Sequence, residues 1–136
     1  MKTLTLSLRR KNFDDILAGK KTHEYREVRP NNTKRYVHLL CEGRYFDDDD
    51  PAFDETDPNS PVEIVAKKYD AIKFYTGEYK GKRPYMLVEV AEAEAVIVTD
   101  ENGNDLILKD GNGEEYIAVT VDYTLGKILE VNENPE

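Results

Sequence analysis

Hydrophobic positions between residues 10 and 18 follow the spacing of a short amphipathic helix. Phe13, Ile16 and Leu17 recur at i, i+3 and i+4, so they share one face of a helix. Gly19 follows directly, and glycine is the residue that most often closes a helix at its C-terminus. The pattern therefore predicts a helix over 10–18 that ends at Gly19.

Most of the remaining chain consists of short runs of strand-forming residues between turn signals. Asn102-Gly103 and Asp110-Gly111 are strong turn sequences, and each precedes a short hydrophobic run. One helix among seven or more strands predicts a mainly β fold of the α+β type, and short strands between turns are typical of a closed or nearly closed barrel. Strands are predicted at 3–8, 22–29, 36–41, 63–67, 70–76, 85–98, 106–108, 116–121 and 125–131.

Charged residues cluster where the helix is predicted to end and the next strand to begin. Side chains two apart on a strand share a face, so Thr22, Glu24 and Arg26 point one way, and Lys21 lies at the turn beside them. Two charges that leave water need a partner or a ligand, so an inward-facing cluster predicts a binding site. The alternative is an ordinary ion pair on the surface.

The same residues resemble the signature of a known family. The spacing Gly19-x-Lys21-x-x-Glu24-x-Arg26, preceded by Phe-Asp-x-Ile-Leu at 13–17, is similar to the motif of the ASC-1 homology (ASCH) family. The segments 70–90 and 123–128 resemble that family's middle and closing strands. The resemblance implies one PUA-like domain over 1–136, a mixed β-barrel with one or a few short helices. It also implies a cleft that binds RNA, a nucleotide or a modified nucleoside.

The resemblance assigns roles to individual side chains. Lys21 is expected to bind a phosphate or to act as a catalytic base or nucleophile, with Glu24 beside it as the second catalytic candidate. A lysine becomes reactive only when desolvation or nearby cations lower its pKa, and a neighbouring carboxylate has the opposite effect. The candidate ligand-binding residues are Gly19, Lys20, Arg26, Tyr75, Arg9 and Arg10.

Tyr75 is included because bases of single-stranded RNA stack on tyrosine rings beside basic side chains. Tyr75 and Tyr79 lie near a second basic cluster in the sequence. The alternative is that these rings fill a barrel wall. The basic residues of this cluster are Lys73, Lys80, Lys82 and Arg83.

An enzymatic function is the first alternative. Some ASCH relatives are small amidohydrolases that deacylate cytidine derivatives, and in them a lysine matching Lys21 works beside a threonine at the position of Glu24. This chain has a carboxylate there, and only Glu78 or Glu89 is available as a substitute for their supporting acid. These differences weaken the amidohydrolase prediction, and ribonuclease activity is a further form of the enzyme hypothesis.

The charge distribution raises a second alternative. The net charge is −9, yet residues 1–46 carry 11 Lys and Arg against 5 Asp and Glu. An acidic run at 47–61 follows, and such a run is typical of a solvated loop. The basic N-terminal part suits phosphate contacts, whereas the acidic remainder suits a basic protein partner.

The remaining composition narrows the class of protein. The single Cys41, in the apolar run 37–41, is predicted to be a buried strand residue and offers no disulfide or cysteine-rich metal site. His23 points away from Glu24 on the predicted strand, so no metal site is expected, and no cofactor is either. No segment resembles a membrane span or a signal peptide, and we therefore expect a cytoplasmic protein without membrane association.

Overall fold

The computed structural model describes residues 1–77 and 82–134. Within them, strands far outnumber helices, which confirms the mainly β, α+β class. The helices are α1 (Arg10–Leu17) and the single turn α2 (Thr33–Tyr36), with a 3-10 helix at Pro51–Glu55. The strands are β1 (Thr3–Ser7), β2 (His23–Val28), β3 (Val37–Cys41), β4 (Arg44–Phe46), β5 (Val62–Ala66), β6 (Ala71–Tyr75), β7 (Tyr85–Ile97), β8 (Ile107–Lys109), β9 (Glu115–Ile117) and β10 (Val119–Asn132).

Three sheets organise these strands. The largest has the order β1-β6-β7-β10-β2, the second has β4-β3-β5, and β8 pairs with β9 alone. Strand β1 runs parallel to β6, whereas β6 and β7 are antiparallel, so the largest sheet is mixed. Closure of these sheets into a PUA-like barrel stays a prediction.

The chain groups into two compact units, each assembled from separate segments. Unit 1 comprises Met1–Glu24, Lys68–Glu92 and Tyr123–Glu136, and unit 2 comprises Tyr25–Lys67 and Ala93–Asp122. Strands β2, β7 and β10 each contribute residues to both units. The expectation of one domain over the whole chain stays a prediction.

The core of unit 1 follows the alternation of β1 and β6. Leu4 pairs with Ile72 and Leu6 with Phe74 across the parallel ladder, and all four side chains are buried. Because residues two apart on a strand share a face, the intervening Thr3, Thr5 and Ser7 are exposed. The predicted helical stripe is also confirmed, since Phe13 and Ile16 of α1 are buried. Other core residues of unit 1 are Met86, Val88 and Tyr123.

In unit 2, β3 forms the centre of an antiparallel sheet. Cys41 is 1% exposed, which confirms its prediction as a buried strand residue. The sequence did not predict β4, which follows β3 after the two-residue turn Glu42-Gly43. Both turn residues have positive φ, 52° and 74°, as a tight type I′ hairpin requires. Glutamate is an unusual residue at such a position, so the turn has a weak sequence signal.

The predicted strands at 116–121 and 125–131 were wrong in their boundaries. Strand β9 ends at Ile117, and β10 continues without interruption from Val119 to Asn132. Between them, the amide of Ala118 donates to Leu106 O at 2.9 Å, while its carbonyl accepts from Val98 N at 2.9 Å. The chain changes partners at this residue, and hydrophobicity alone does not mark such a change.

The acidic segment 47–61 forms definite contacts within unit 2. Asp47 pairs with Lys67 at 2.9 Å and Asp49 with Lys34 at 2.7 Å. Phe53, in the 3-10 helix, packs edge-on against Phe46 with 5.6 Å between ring centroids. These contacts attach the acidic segment to the β3–β5 sheet region despite its charge.

Candidate ligand-binding site at the end of helix α1

The C-terminus of α1 fixes the backbone that carries Lys21. Gly19 adopts φ +75°, the left-handed conformation that closes many helices. Its amide donates to Ile16 O at 3.1 Å, and the amide of Lys20 donates to Asp15 O at 2.9 Å, which is the Schellman pattern. The amide of Lys21 also donates to Asp15 O, at 3.0 Å. Three consecutive amides therefore hold the turn on the helix end.

Lys21 and Glu24 form an ion pair at this turn. Lys21 Nζ donates to Glu24 Oε1 at 2.9 Å, and their side chains are 26% and 5% exposed. The alternation of β2 turns Glu24 inward and leaves Tyr25 exposed. Just before β2, Thr22 O accepts from Leu125 N at 2.9 Å. The motif thus places a buried carboxylate beneath a partly exposed ammonium group.

This arrangement suits ligand binding for an electrostatic reason. A carboxylate that leaves water costs several kcal/mol unless cations and hydrogen-bond donors compensate it. Lys21 compensates Glu24, and within the described residues this is the only side-chain hydrogen bond of Lys21. An ammonium group has three N–H donors, so two remain for a ligand that reaches the turn.

The other candidate ligand-binding residues near α1 and β2 differ in their exposure and in their ion pairs. Lys20 and Arg9 are exposed, and Arg9 precedes the first turn of α1. Arg10 is already engaged, since it pairs with Asp14 at 3.0 Å and with Glu133 at 2.7 Å. Arg26 is half-buried and belongs to unit 2.

Tyr75 belongs to an aromatic and cationic cluster of unit 1. Its ring centroid lies 6.0 Å from that of Tyr85, and Lys73 Nζ lies 5.2 Å and 4.3 Å from the two centroids. Arg83 lies over Tyr75 at 5.4 Å and donates to Ser7 Oγ at 3.2 Å. Hydrogen bonding to Tyr75 raises the pKa of Lys73 above its ordinary value, against the effect of desolvation. Tyr79 and Lys80, which the sequence placed in this cluster, lie outside the described residues.

The supporting acid of the amidohydrolase prediction is not joined to Lys21. Glu89 lies against Gly126, where an added Cβ would be 2.7 Å from Glu89 Oε1. Among the described residues, no hydrogen bond or ion pair links Glu89 with Lys21 or Glu24, and Glu78 lies outside them. The described contacts join the two catalytic candidates, Lys21 and Glu24, to each other. They do not join Glu89 to either of them.

The described residues contain neither a metal-ligand cluster nor a membrane-spanning helix. Among residues 1–77 and 82–134, no three His, Cys, Asp or Glu side chains form a group that could hold a metal ion. His38, on β3, instead stacks on Tyr45 with 4.3 Å between ring centroids. Within the same residues, no helix is long and apolar enough to cross a bilayer.

Unit 2 contains a cavity that the sequence reasoning missed. Its volume is about 380 Å³, and residues from β2, β3, β5, β9 and β10 line it. These residues are far apart in the sequence, and the local pattern around each one is typical of an ordinary strand or loop. No local pattern therefore indicates the cavity.

Comparison with known proteins provides no relative for this chain. No family model, curated protein or solved structure matches it. The function is therefore inferred from the geometry of the site and from the motif residues themselves.

Proposed function

We propose that this chain is an ASCH-type binding domain for RNA, a nucleotide or a modified nucleoside, and that Lys21 and Glu24 form the centre of its ligand site. One observation carries the proposal: the side chain of Glu24 is only 5% exposed, yet its carboxylate pairs with Lys21 at 2.9 Å. Buried charge is costly for a fold and is often retained at functional sites.

The two residues have complementary roles in this proposal. Lys21 donates to a phosphate or carbonyl oxygen of the ligand, because its ammonium group is partly exposed on a fixed turn. Glu24 holds that ammonium group in place and accepts hydrogen bonds from a base edge or sugar. Lys20 and Arg9 add positive charge for a phosphate backbone, whereas the ion pairs of Arg10 reduce its contribution. Arg26, which belongs to unit 2, stays a candidate from the motif alone.

Two features favour binding over acyl hydrolysis. Glu24 occupies the position of the amidohydrolase threonine, so the group that would act beside the lysine is a carboxylate engaged in an ion pair. No acid of the described residues supports Lys21 from a second element.

The test measures binding of short single-stranded RNA and of mononucleotides to the full chain by fluorescence anisotropy and calorimetry at several salt concentrations. If Lys21 contacts a phosphate, Lys21→Met weakens RNA binding and reduces the slope of log K against log salt by about 0.7. Lys109→Met is the matched control, because Lys109 is exposed on β8 and is not among the proposed ligand contacts. An unchanged affinity and slope for Lys21→Met would sink the proposal.

The enzymatic and protein-partner alternatives have separate readouts. Incubation with N-acylated cytidine, and separately with RNA, tests for deacylation or cleavage that Lys21→Met abolishes. Turnover of this kind would replace the binding proposal with a hydrolase. Negligible RNA and nucleotide binding at low salt, together with binding of a basic protein, would instead favour the interaction module.

A further inference from the structure

The cavity of unit 2 has the size and walls of a small-molecule site. Its volume of about 380 Å³ lies within the range of roughly 300–1,000 Å³ that is typical of ligand pockets. Val28 of β2, Val37 and Leu39 of β3, Ile64 of β5 and Val119 of β10 supply its apolar wall. A ligand body that covers this wall gains the free energy of removing apolar surface from water.

Four carboxylates border the same cavity. They are Asp48, Asp110, Glu114 and Glu115. Asp48 accepts from Thr33 Oγ1 at 2.9 Å, and Asp110 accepts from the backbone amides of Asn112 and Glu114 at 2.8 and 3.0 Å. None of the four forms a salt bridge within the described residues, although the charge of Asp48 acts on nearby Lys34. The rim therefore carries an excess of negative charge.

The charges of nearby basic side chains are offset mainly by carboxylates outside the cavity. Lys34 pairs with Asp49 at 2.7 Å, and Lys67 pairs with Asp47 at 2.9 Å. Arg29 lines the cavity and interacts electrostatically with Tyr116, but its guanidinium group pairs with Glu27 at 2.8 Å. The electrostatic environment of the cavity therefore favours a cation and opposes an anion.

An aromatic ring completes the site. Tyr116 of β9 lines the cavity between the two glutamate positions and Ile117. The face of a tyrosine ring attracts ammonium and guanidinium groups, and quaternary ammonium ligands are commonly recognised in this way. Apolar walls, an aromatic face and carboxylates together provide the contacts that an organic cation requires.

We propose that this cavity binds a small organic cation, an ammonium compound with an apolar aliphatic or aromatic body. The body contacts the valine, leucine and isoleucine wall, and the cationic head lies near Tyr116, Glu114 and Glu115. This site shares no residue with the Lys21–Glu24 pair and has the opposite charge preference. The proposal does not rest on the proposed nucleic-acid function.

The experiment compares three probes of similar size with different charge: benzylamine, benzyl alcohol and benzoate. The full-length protein carries ¹³C-labelled Val, Leu and Ile methyl groups, and binding is followed by NMR at neutral pH. Benzylamine should shift the methyl signals of Val37, Leu39, Ile64 and Val119 with a dissociation constant of about 1 mM, within the range accessible to a small ligand. Its affinity should exceed that of benzyl alcohol by about three- to fivefold, with benzoate weakest.

Charge-neutral variants separate the rim from the general charge of the protein. Glu114→Gln combined with Glu115→Gln should reduce the affinity for benzylamine by about threefold and leave benzyl alcohol binding unchanged. Glu55→Gln combined with Glu63→Gln changes the net charge equally at acids that do not line the cavity, and should have no effect. The preference of the cavity for benzylamine over benzyl alcohol should also decrease with added salt.

Three results would overturn the proposal. They are equal affinity for the three probes, equal weakening by the rim and control variants, and methyl shifts confined to residues outside the cavity. A Leu39→Phe variant that retains the wild-type circular dichroism spectrum provides a steric check, because the larger ring occupies part of the cavity. Undiminished benzylamine binding to that variant would likewise contradict a ligand body in the cavity.

Discussion

At the scale of single residues, the Lys21–Glu24 pair contributes both to the stability of the fold and to the proposed ligand binding. Glu24 is almost fully buried and Lys21 is about a quarter exposed, so water screens their attraction less than it screens a surface pair. Removing one charge leaves the other in an unfavourable environment, whereas removing both leaves a neutral pair of similar shape. Binding variants at this site therefore need a stability control.

A double-mutant cycle tests the strength of the pair. We expect Lys21→Met to lower the free energy of unfolding by about 1–3 kcal/mol, because the buried carboxylate loses a charged donor. Glu24→Gln should cost less, and the double variant should cost less than the sum of the two. Urea unfolding at neutral pH gives the three values. Strictly additive effects would show that the pair contributes no coupling energy.

The Asp47–Lys67 pair predicts an acid-dependent contribution to stability. The hydrogen bond from Lys67, and secondarily its charge, lowers the pKa of Asp47 below its ordinary value despite some desolvation. A depressed carboxylate pKa stabilises the fold above the unfolded-state value, and this contribution disappears as the pH falls through the folded-state value. Asp47 is 41% exposed, so solvent screening reduces the effect.

The measurement compares wild type with Asp47→Asn across pH. We expect the variant to be less stable by about 0.5–1 kcal/mol at pH 7. The difference should shrink as the pH falls below about 4, where aspartate in the unfolded chain is protonated. Asp54→Asn, in the same acidic segment, is the control because no salt bridge engages Asp54 among the described residues. A constant difference from pH 7 to pH 2 would contradict the assignment.

At the scale of elements, the end of α1 and the start of β2 form a rigid corner. The Schellman hydrogen bonds require Gly19 at φ +75°, a conformation that side chains other than glycine adopt at a cost. No atom lies within 4 Å of a Cβ built at Gly19, so this cost arises from the backbone and not from crowding.

Gly19→Ala tests this corner. The expected loss of stability is about 1 kcal/mol, and Gly19→Asn should lose less because asparagine tolerates the left-handed region better. Thermal unfolding measures both. Equal stability of all three proteins would show that the turn relaxes to another conformation, and the position of Lys21 would then not be fixed by the helix end.

Gly126 marks a close approach between β10 and β7. A Cβ at this position would lie 2.7 Å from Glu89 Oε1 and 3.4 Å from Glu89 Cβ and Cγ. The carboxylate end can move, so we expect Gly126→Ala to cost only about 1 kcal/mol and Gly126→Val to cost more. Combining Glu89→Ala with Gly126→Ala should recover part of the loss in chemical unfolding. A full, unchanged loss in the combined variant would place the strain in the backbone.

At the scale of the whole molecule, neither compact unit is a continuous piece of chain. Unit 1 takes three segments and unit 2 takes two, and β2, β7 and β10 pass from one unit into the other. Strand β1, near the N-terminus, pairs with β6, which begins at Ala71. The core of unit 1 therefore forms only after more than half of the chain is present.

Truncation tests this organisation. A fragment ending at Lys67 lacks β6 and leaves Leu4 and Leu6 without their partners Ile72 and Phe74. We expect this fragment to lack a cooperative unfolding transition and dispersed NMR signals, whereas the full chain shows both. A fragment with native-like signals for residues 3–7 would mean that β1 is stable without its parallel neighbour.

The local features of this protein were readable from its sequence because short-range physics produces them. Helical spacing located α1, glycine marked its end, and strand alternation placed Glu24 and Tyr25 on opposite faces. Which of the two faces is buried was left open by the sequence. The mainly β class followed from the frequency of turns between strand-forming runs. These properties depend on neighbours in the chain, and the sequence contains them directly.

Only the tertiary structure decided which distant residues meet. It joined Ala118 to Leu106 and Val98, engaged Arg10 with Glu133 and set Tyr75 beside Tyr85. It also formed the open-sided cavity of unit 2, whose lining comes from five strands, α2 and the loops beside them. Such contacts depend on sheet register and on the partners that each strand finds. The sequence by itself determined the turn that carries Lys21 and Glu24, because these two residues are three positions apart. The pairing of distant segments was decided by the tertiary structure.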